Sequence, residues 1–175
     1  MNNHNVVLTV ASYGCERTAR LDFDAVASVR GSGTCRHLAL AVLKKGPDGA
    51  LSIDRSAGTG PDGALGSALL GAALTVLAAP VGILLLPPLV TAPAGWALVT
   101  ALVTHYWQDV PQDTLRLMSG MLESGPIGVV IVAVDLNGDD IRVLLSGAGA
   151  MIVTDSTNAG LDVDLNRAID EATVW

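Results

Sequence analysis

The chain has 175 residues, half of them apolar and only 15% charged, and its formal net charge is −7. This composition excludes a disordered or fibrous protein, and the length fits one compact domain with one substantial appendage. We expect no nucleic-acid partner, because phosphate neutralisation needs clustered Lys and Arg, which this acidic chain lacks.

The first part of the chain has the pattern of two strands around a helix, followed by a hairpin. Residues 5–11 form a β-branched run typical of a buried strand, and residues 16–30 place apolar side chains at helical spacing. Residues 37–43 alternate as a second strand. A Gly-Pro-Asp-Gly turn then leads into residues 51–54, which we predict to pair back on that strand.

The most unusual feature is a run of 46 residues, 63–108, without Asp, Glu, Lys or Arg. Pro87 and Pro88 divide it into two arms, 64–86 and 89–107, each near the ~20 residues that a bilayer-spanning helix needs. No face of either arm is marked by charge, so we expect burial on all sides, in lipid or inside a protein assembly. Burial within the chain's own domain is the least favoured alternative, since the sheet and helices compete for the same interior.

Small residues recur at every fourth position along both arms, which lets helix backbones approach closely. This glycine-zipper spacing predicts helix–helix packing but does not distinguish lipid from protein surroundings. The tip between the arms has no polar residue, and aromatic residues stand at only one base, which disfavours a simple spanning hairpin. The predicted oligomer or membrane interface comprises Gly63, Ser67, Gly71, Thr75, Ala79, Leu84, Leu85, Leu86, Ala97, Ala101 and Trp107.

Beyond the run, the strand–helix–strand pattern returns. We predict a helix from Pro111 to about Gly125, a strand at 127–134, a short helix at 138–145 and a strand at 150–154. With right-handed crossovers, two such units form a four-stranded antiparallel sheet with helices on one face. The predicted fold is therefore α+β, a ferredoxin-like βαβ–βαβ module with a long inserted apolar helical hairpin. The predicted segments are 1–56 (first half of the module with its β-hairpin), 57–108 (apolar hairpin), 109–156 (second half) and 157–175 (amphipathic helix).

The C-terminal segment carries one apolar stripe on its predicted helix, with acidic residues on the other side. An isolated helix of about fifteen residues is marginal in water, so the stripe must dock if the helix is to form. Docking on the chain's own domain and docking on a neighbouring subunit both fit this pattern. The predicted docking residues are Leu161, Leu165, Ile169 and Trp175.

The sequence offers no catalytic, cofactor or metal site. Residues 58–63 spell G-x-G-x-x-G, but Pro61 removes an amide donor and Asp62 places negative charge where a pyrophosphate would lie. Cys15 and Cys35 lack the close spacing of metal ligands, and we expect them to be buried free thiols in a reducing cytoplasm. We therefore predict a protein without enzymatic activity or cofactor.

The layout resembles an uncharacterised bacterial group of predicted membrane or general-stress proteins, common in actinobacteria, over about residues 5–155. The matching parts are the opening strand at 6–10, the glycine zipper at 58–71, the apolar run to Trp107 and the late strand at 127–134. The resemblance implies a ferredoxin-like module with a central glycine-rich hairpin, in a non-enzymatic protein that is membrane-linked or self-associating. No catalytic residues carry over.

These patterns together predict a cytoplasmic, self-assembling protein that forms homo-oligomers through its apolar hairpin, in solution or at a membrane. Its partners would be further copies of the chain and, in the membrane case, lipid. The alternative is an integral membrane protein in which the α/β module is a cytosolic sensor or regulator.

Overall fold

The structure, a computed structural model, describes residues 4–30, 32–58 and 110–158, together with Leu70, Ala73, Leu74 and Leu77 of the apolar run. The elements of the described residues are, in chain order, β1 (His4–Tyr13), α1 (Glu16–Val29), β2 (His37–Lys45), β3 (Leu51–Gly58), α2 (Gln112–Ser124), β4 (Ile127–Val134), α3 (Gly138–Leu144) and β5 (Ala150–Asn158). Within this part, no helix is long and apolar enough to cross a bilayer.

The five strands form one sheet in the order β3-β2-β4-β1-β5. Every neighbouring pair is antiparallel. The strands β1 and β2 therefore run parallel to each other, with β4 between them. The strands β4 and β5 also run parallel to each other, with β1 between them. The described residues thus confirm an α+β fold, built as a five-stranded antiparallel sheet with three helices.

The sheet is buried on both faces at its centre. All eight residues of β4 are buried, as its uninterrupted run of small and β-branched side chains predicts. A Cβ atom at Gly128 in this strand would collide with the end of the Leu122 side chain of α2, which would have to shift. Because successive side chains of a strand point to opposite faces, a fully buried strand requires a cover on each side.

Each face of the sheet has its own helical cover. The α1 face packs against α1 and α3, in a core that includes Phe23, Val26, Leu38, Leu40, Val42 and Ile141. The opposite face, the α2 face, packs against α2, in a core that includes Val6, Leu8, Val10, Leu115, Met118 and Leu122. We had predicted helices on one face only, which was wrong. The apolar residues of α2 recur at helical spacing and the second sheet face is equally apolar, so the two bury each other.

The edge strand β3 contains a bulge. Ile53 pairs with Leu43 and Arg55 pairs with Val42, so Asp54 has no partner on β2. An extra residue of this kind bends the strand and turns two successive side chains toward the same face.

At the bulge, two successive charged side chains of β3 contact α1. Asp54 lies 2.9 Å from the ammonium of Lys44 and 3.2 Å from the guanidinium of Arg20, and Arg55 lies 3.2 Å from Asp24. The hydrogen bond from Lys44 holds the pKa of Asp54 below its usual range. These contacts fix β3 to the helix that covers the α1 face.

Candidate functional site

Four residues of the uncharged run are buried in the core of the module. Leu70, Ala73, Leu74 and Leu77 are helical, and none of them is more than 7% exposed. Offsets of three, four and seven residues from Leu70 lie on one face of an α-helix. All four belong to the apolar core on the α2 face of the sheet. We call these four residues the buried base of the apolar run.

Helix α2 lies in the same layer as the buried base. Its residues Leu115, Met118 and Leu122 are buried, and Val110, just before the helix, joins the same core. Pro111 is the N-cap residue of α2. The backbone amide at this position makes no hydrogen bond within the helix, so proline, which has no amide hydrogen, fits there. The α2 face is thus covered by two helical pieces, one from the apolar run and one from the segment that follows it.

A buried serine joins these two pieces. Ser119 of α2 is fully buried, and its hydroxyl donates a hydrogen bond to the backbone carbonyl of Leu77. The same Oγ lies 2.8 Å from the carbonyl oxygen of Leu115, one helical turn earlier. The hydroxyl therefore ties Leu77, the last residue of the buried base, to α2.

The burial of the base differs from the sequence-based expectation. We had predicted that lipid or other copies would bury the run on all sides, with the chain's own domain as the least favoured alternative. For these four residues the cover is the chain's own sheet. The reason is the uncovered second face of the sheet, which one-sided helices would have left exposed to water.

The residues predicted to form the interface lie outside the described part of the chain. This holds for the zipper positions Gly63, Ser67, Gly71, Thr75 and Ala79, and equally for Leu84, Leu85, Leu86, Ala97, Ala101 and Trp107. It also holds for the tail residues Leu161, Leu165, Ile169 and Trp175. Residues 59–63 of the glycine-rich loop are outside it too, whereas Gly58 ends β3 and accepts a hydrogen bond from Arg30 through its carbonyl. Their predicted roles stay predictions.

A buried carboxylate forms a second polar anchor, on the α1 face. Asp22 of α1 is 6% exposed, and its Oδ2 accepts hydrogen bonds from the Tyr13 hydroxyl and from the Gly147 amide, each at 2.9 Å. A Cβ atom at Gly147 would lie too close to the methyl group of Thr18, so a larger residue there would require the Thr18 side chain to move. One side chain therefore links β1, α1 and the loop before β5. Nothing in the spacing of these residues along the sequence predicted this anchor.

The Tyr13–Asp22 pair gives a pH-dependent prediction. Burial, with the hydrogen bond to Asp22 and its charge, raises the pKa of Tyr13 above the ordinary value of about 10. The unfolded chain loses this proton above about pH 10 while the folded chain keeps it, so stability is lost as pH rises beyond 10. The expected slope from this group is about 1.4 kcal/mol per pH unit.

Urea unfolding of the wild type and of Tyr13→Phe at pH 8 and pH 11 measures this effect. We expect the wild type to lose about 1 kcal/mol more than the variant between the two pH values. Equal losses in both proteins would show that the Tyr13 phenol does not contribute.

The two cysteines differ in their surroundings. Both thiols are free, as predicted, but Cys15 is exposed, so the expectation that both are buried was wrong for it. Cys15 is the N-cap residue of α1 and makes no side-chain cap hydrogen bond, and the nearby backbone amides of Thr18 and Arg17 lower its pKa. Cys35 is half-buried and donates to the carbonyl of His37, and its burial raises its pKa. The sequence signal for the exposure of Cys15 was its position directly before a predicted helix.

Acidic residues near α3 have structural partners. Asp135, which has a positive φ of 61°, accepts a hydrogen bond from the Asn5 amide, and Asp155 accepts one from the Asn5 side chain. Asn137 caps α3 by accepting from the amide of Asp139. Among the described residues, no group of three His, Cys, Asp or Glu side chains could hold a metal ion.

Comparisons with known proteins add no further constraint. No protein-family model matches the chain, and no curated protein or solved structure is significantly similar to it. The function is therefore inferred from the geometry of the described residues. Among them, the buried base of the apolar run is the strongest indication.

Proposed function

We propose that this chain is a non-enzymatic, self-assembling protein whose copies associate through the apolar helical hairpin. In this proposal the strands β1, β2, β4 and β5 form a ferredoxin-like module, an assignment supported by their spatial order β2-β4-β1-β5. The hairpin is an insertion between β3 and α2. The observation that carries the proposal is the uncharged run whose first part is fixed to the module by its buried base.

The spacing within the run separates a face for the module from a face for partners. Gly71 follows the buried Leu70 by one position, and Thr75 follows the buried Leu74 in the same way. One residue corresponds to a rotation of about 100° in an α-helix. A helix through the buried base would therefore turn its leucine row to the sheet and its small-residue row to the side. That arrangement leaves the zipper row for a second helix, as homo-oligomer formation requires.

The buried base also favours assembly over a spanning hairpin. A helix that crosses the bilayer needs about 20 residues in contact with lipid or with other spanning helices. The first predicted arm, 64–86, has 23 residues, and the buried residues, from Leu70 to Leu77, span its centre. Because these residues pack on the α2 face of the sheet, too few remain in the arm to cross a bilayer. The alternative of an integral membrane protein with a cytosolic module therefore receives less support.

Membrane fractionation tests the proposal against this alternative. We expect the full-length chain to stay in the supernatant after a carbonate wash and to sediment there as large particles. Retention in carbonate-washed membranes, together with release of a folded module when residues 64–107 are deleted, would replace self-assembly by membrane integration.

A further inference from the structure

The two edges of the sheet are built differently. On β3, the bulge at Asp54 interrupts the pairing, and the exposed Asp54 and Arg55 are held by α1. Bulges and charges on an edge strand prevent another strand from pairing with it. The edge at β3 is therefore closed to a further strand.

The edge at β5 lacks these protections. Its nine residues, Ala150–Asn158, pair with β1 without a register shift, and Asp155 is the only charged residue among them. The strand has neither proline nor lysine. Met151, Ile152 and Val153 are only half-buried, and no strand of the described residues lies on the outer side of β5. A long, regular edge with one charge is a template for strand addition.

The hydrogen-bond directions identify the free backbone groups of β5. The carbonyl of Asn5 accepts from Asp135, at 2.8 Å, on the β4 side of β1. Alternate residues of an antiparallel strand bond to opposite neighbours, so Leu8 of β1 bonds toward β5. Its partner Thr154 then bonds inward.

The same alternation fixes the rest of the strand. Ile152 also bonds inward, and the amides and carbonyls of Met151, Val153 and Asp155 point away from the sheet. No strand of the described chain pairs with these outward groups.

We propose that the β5 edge binds the β5 edge of a second copy in antiparallel orientation, about a two-fold axis at Thr154. Full overlap of the two strands pairs Ala150 with Asn158 of the other copy and Thr154 with itself. In this register, outward groups meet outward groups, and Asp155 faces the neutral Val153 of the other copy. No like charges stand directly opposite each other. The two Asp155 carboxylates are diagonal neighbours beside the axis, and each accepts a hydrogen bond from the Asn5 side chain of its own copy.

This interface is independent of the apolar hairpin. A two-fold axis perpendicular to the sheet would join two five-stranded sheets into one and keep the helix layers of both copies on matching faces. The half-buried side chains of β5 would gain neighbours from the second copy. An assembly that uses both the hairpin and the β5 edge has two distinct contacts per copy, so loss of either contact is distinguishable from loss of the other.

A cysteine at the proposed two-fold axis tests the pairing. In a non-hydrogen-bonded antiparallel pair the Cα atoms lie about 4.5 Å apart, within the range of about 4.4–6.8 Å that disulfides allow. In a full-length Cys15→Ser, Cys35→Ser background, we expect Thr154→Cys to form a covalent dimer on mild oxidation. Ser56→Cys, an exposed position on the protected edge strand β3, is the matched control and should remain uncrosslinked.

Hydrogen exchange on the full-length wild type gives a second readout that needs no variant. The amides of Ile152 and Thr154 are bonded to β1 and serve as internal references. We expect the outward amides of Met151, Val153 and Asp155 to be protected, with protection that falls on dilution. Fast exchange of these three amides overturns the proposal. Protection without a Thr154→Cys dimer also overturns it, because something other than a second β5 would then cover the edge.

Discussion

Replacement of Leu115 by alanine is expected to lower the free energy of unfolding by about 2–5 kcal/mol. Leu115 is 2% exposed and lies in the core shared by the sheet, α2 and the buried base of the apolar run. The truncation removes buried apolar surface and leaves a cavity in a layer that three elements line. Urea unfolding of the full-length chain, followed by circular dichroism, measures the change.

Leu117→Ala is the matched control, since it is the same substitution two residues further along the same helix. Leu117 is 66% exposed, so its truncation should change the free energy of unfolding by no more than about 0.5 kcal/mol. Equal losses for the two variants would mean that α2 does not dock on the sheet through the Leu115 side.

Replacement of Gly71 by leucine is expected to break the hairpin contact and to reduce the assembly to no more than the dimer joined at the β5 edges, while the module stays folded. Gly71 lies in the predicted zipper row, where a leucine side chain would hold two helix backbones apart. The neighbouring Leu70, which is 2% exposed, belongs to the core on the α2 face. One residue corresponds to about 100° around a helix, so a helix through both positions would turn Gly71 away from that core. Sedimentation velocity of wild type and variant at equal concentration measures the loss of assembly.

Gly120→Leu controls for the introduction of a leucine as such. Gly120 lies within α2, and a Cβ atom built there meets nothing within 4 Å. We expect this variant to assemble like the wild type and to be slightly more stable, because glycine weakens a helix by about 1 kcal/mol relative to other residues. Loss of assembly in both variants would remove the zipper row from the explanation.

The described secondary structure was predictable where one face of an element is apolar. The helix predicted at 16–30 is observed as Glu16–Val29, and the strand predicted at 127–134 is observed with those bounds. The edge strands are longer than predicted: residues 51–54 extend to Gly58 and residues 150–154 extend to Asn158. The missed parts contain charged and polar side chains, and backbone pairing rather than burial holds them in the sheet.

The cover of the second sheet face was harder to predict, because it depends on contacts between distant segments. The stripe of Leu115, Met118 and Leu122 shows that α2 has one apolar side, but not which sheet face it covers. Likewise, the spacing of Leu70, Ala73, Leu74 and Leu77 is one of several periodic rows in a run that is apolar throughout. This row is buried because it packs on the second face of the sheet, which would otherwise be exposed to water.

Polar anchors between segments were not visible in the sequence at all. The link between Ser119 and Leu77 joins residues 42 positions apart, and the link between Asp22 and Gly147 joins residues 125 positions apart. Serine, aspartate and glycine are common at exposed positions, so their identity alone does not mark a buried role. The fold must first bring the partners together.

Static light scattering of the purified full-length chain, in buffer without detergent, tests the central claim most directly. Self-assembly through the apolar hairpin predicts a particle mass that is a multiple of the 17.9 kDa chain mass. That mass should fall to no more than the β5-edge dimer in Gly71→Leu and stay unchanged in Gly120→Leu. A stable, monodisperse wild-type particle of 17.9 kDa would contradict the account.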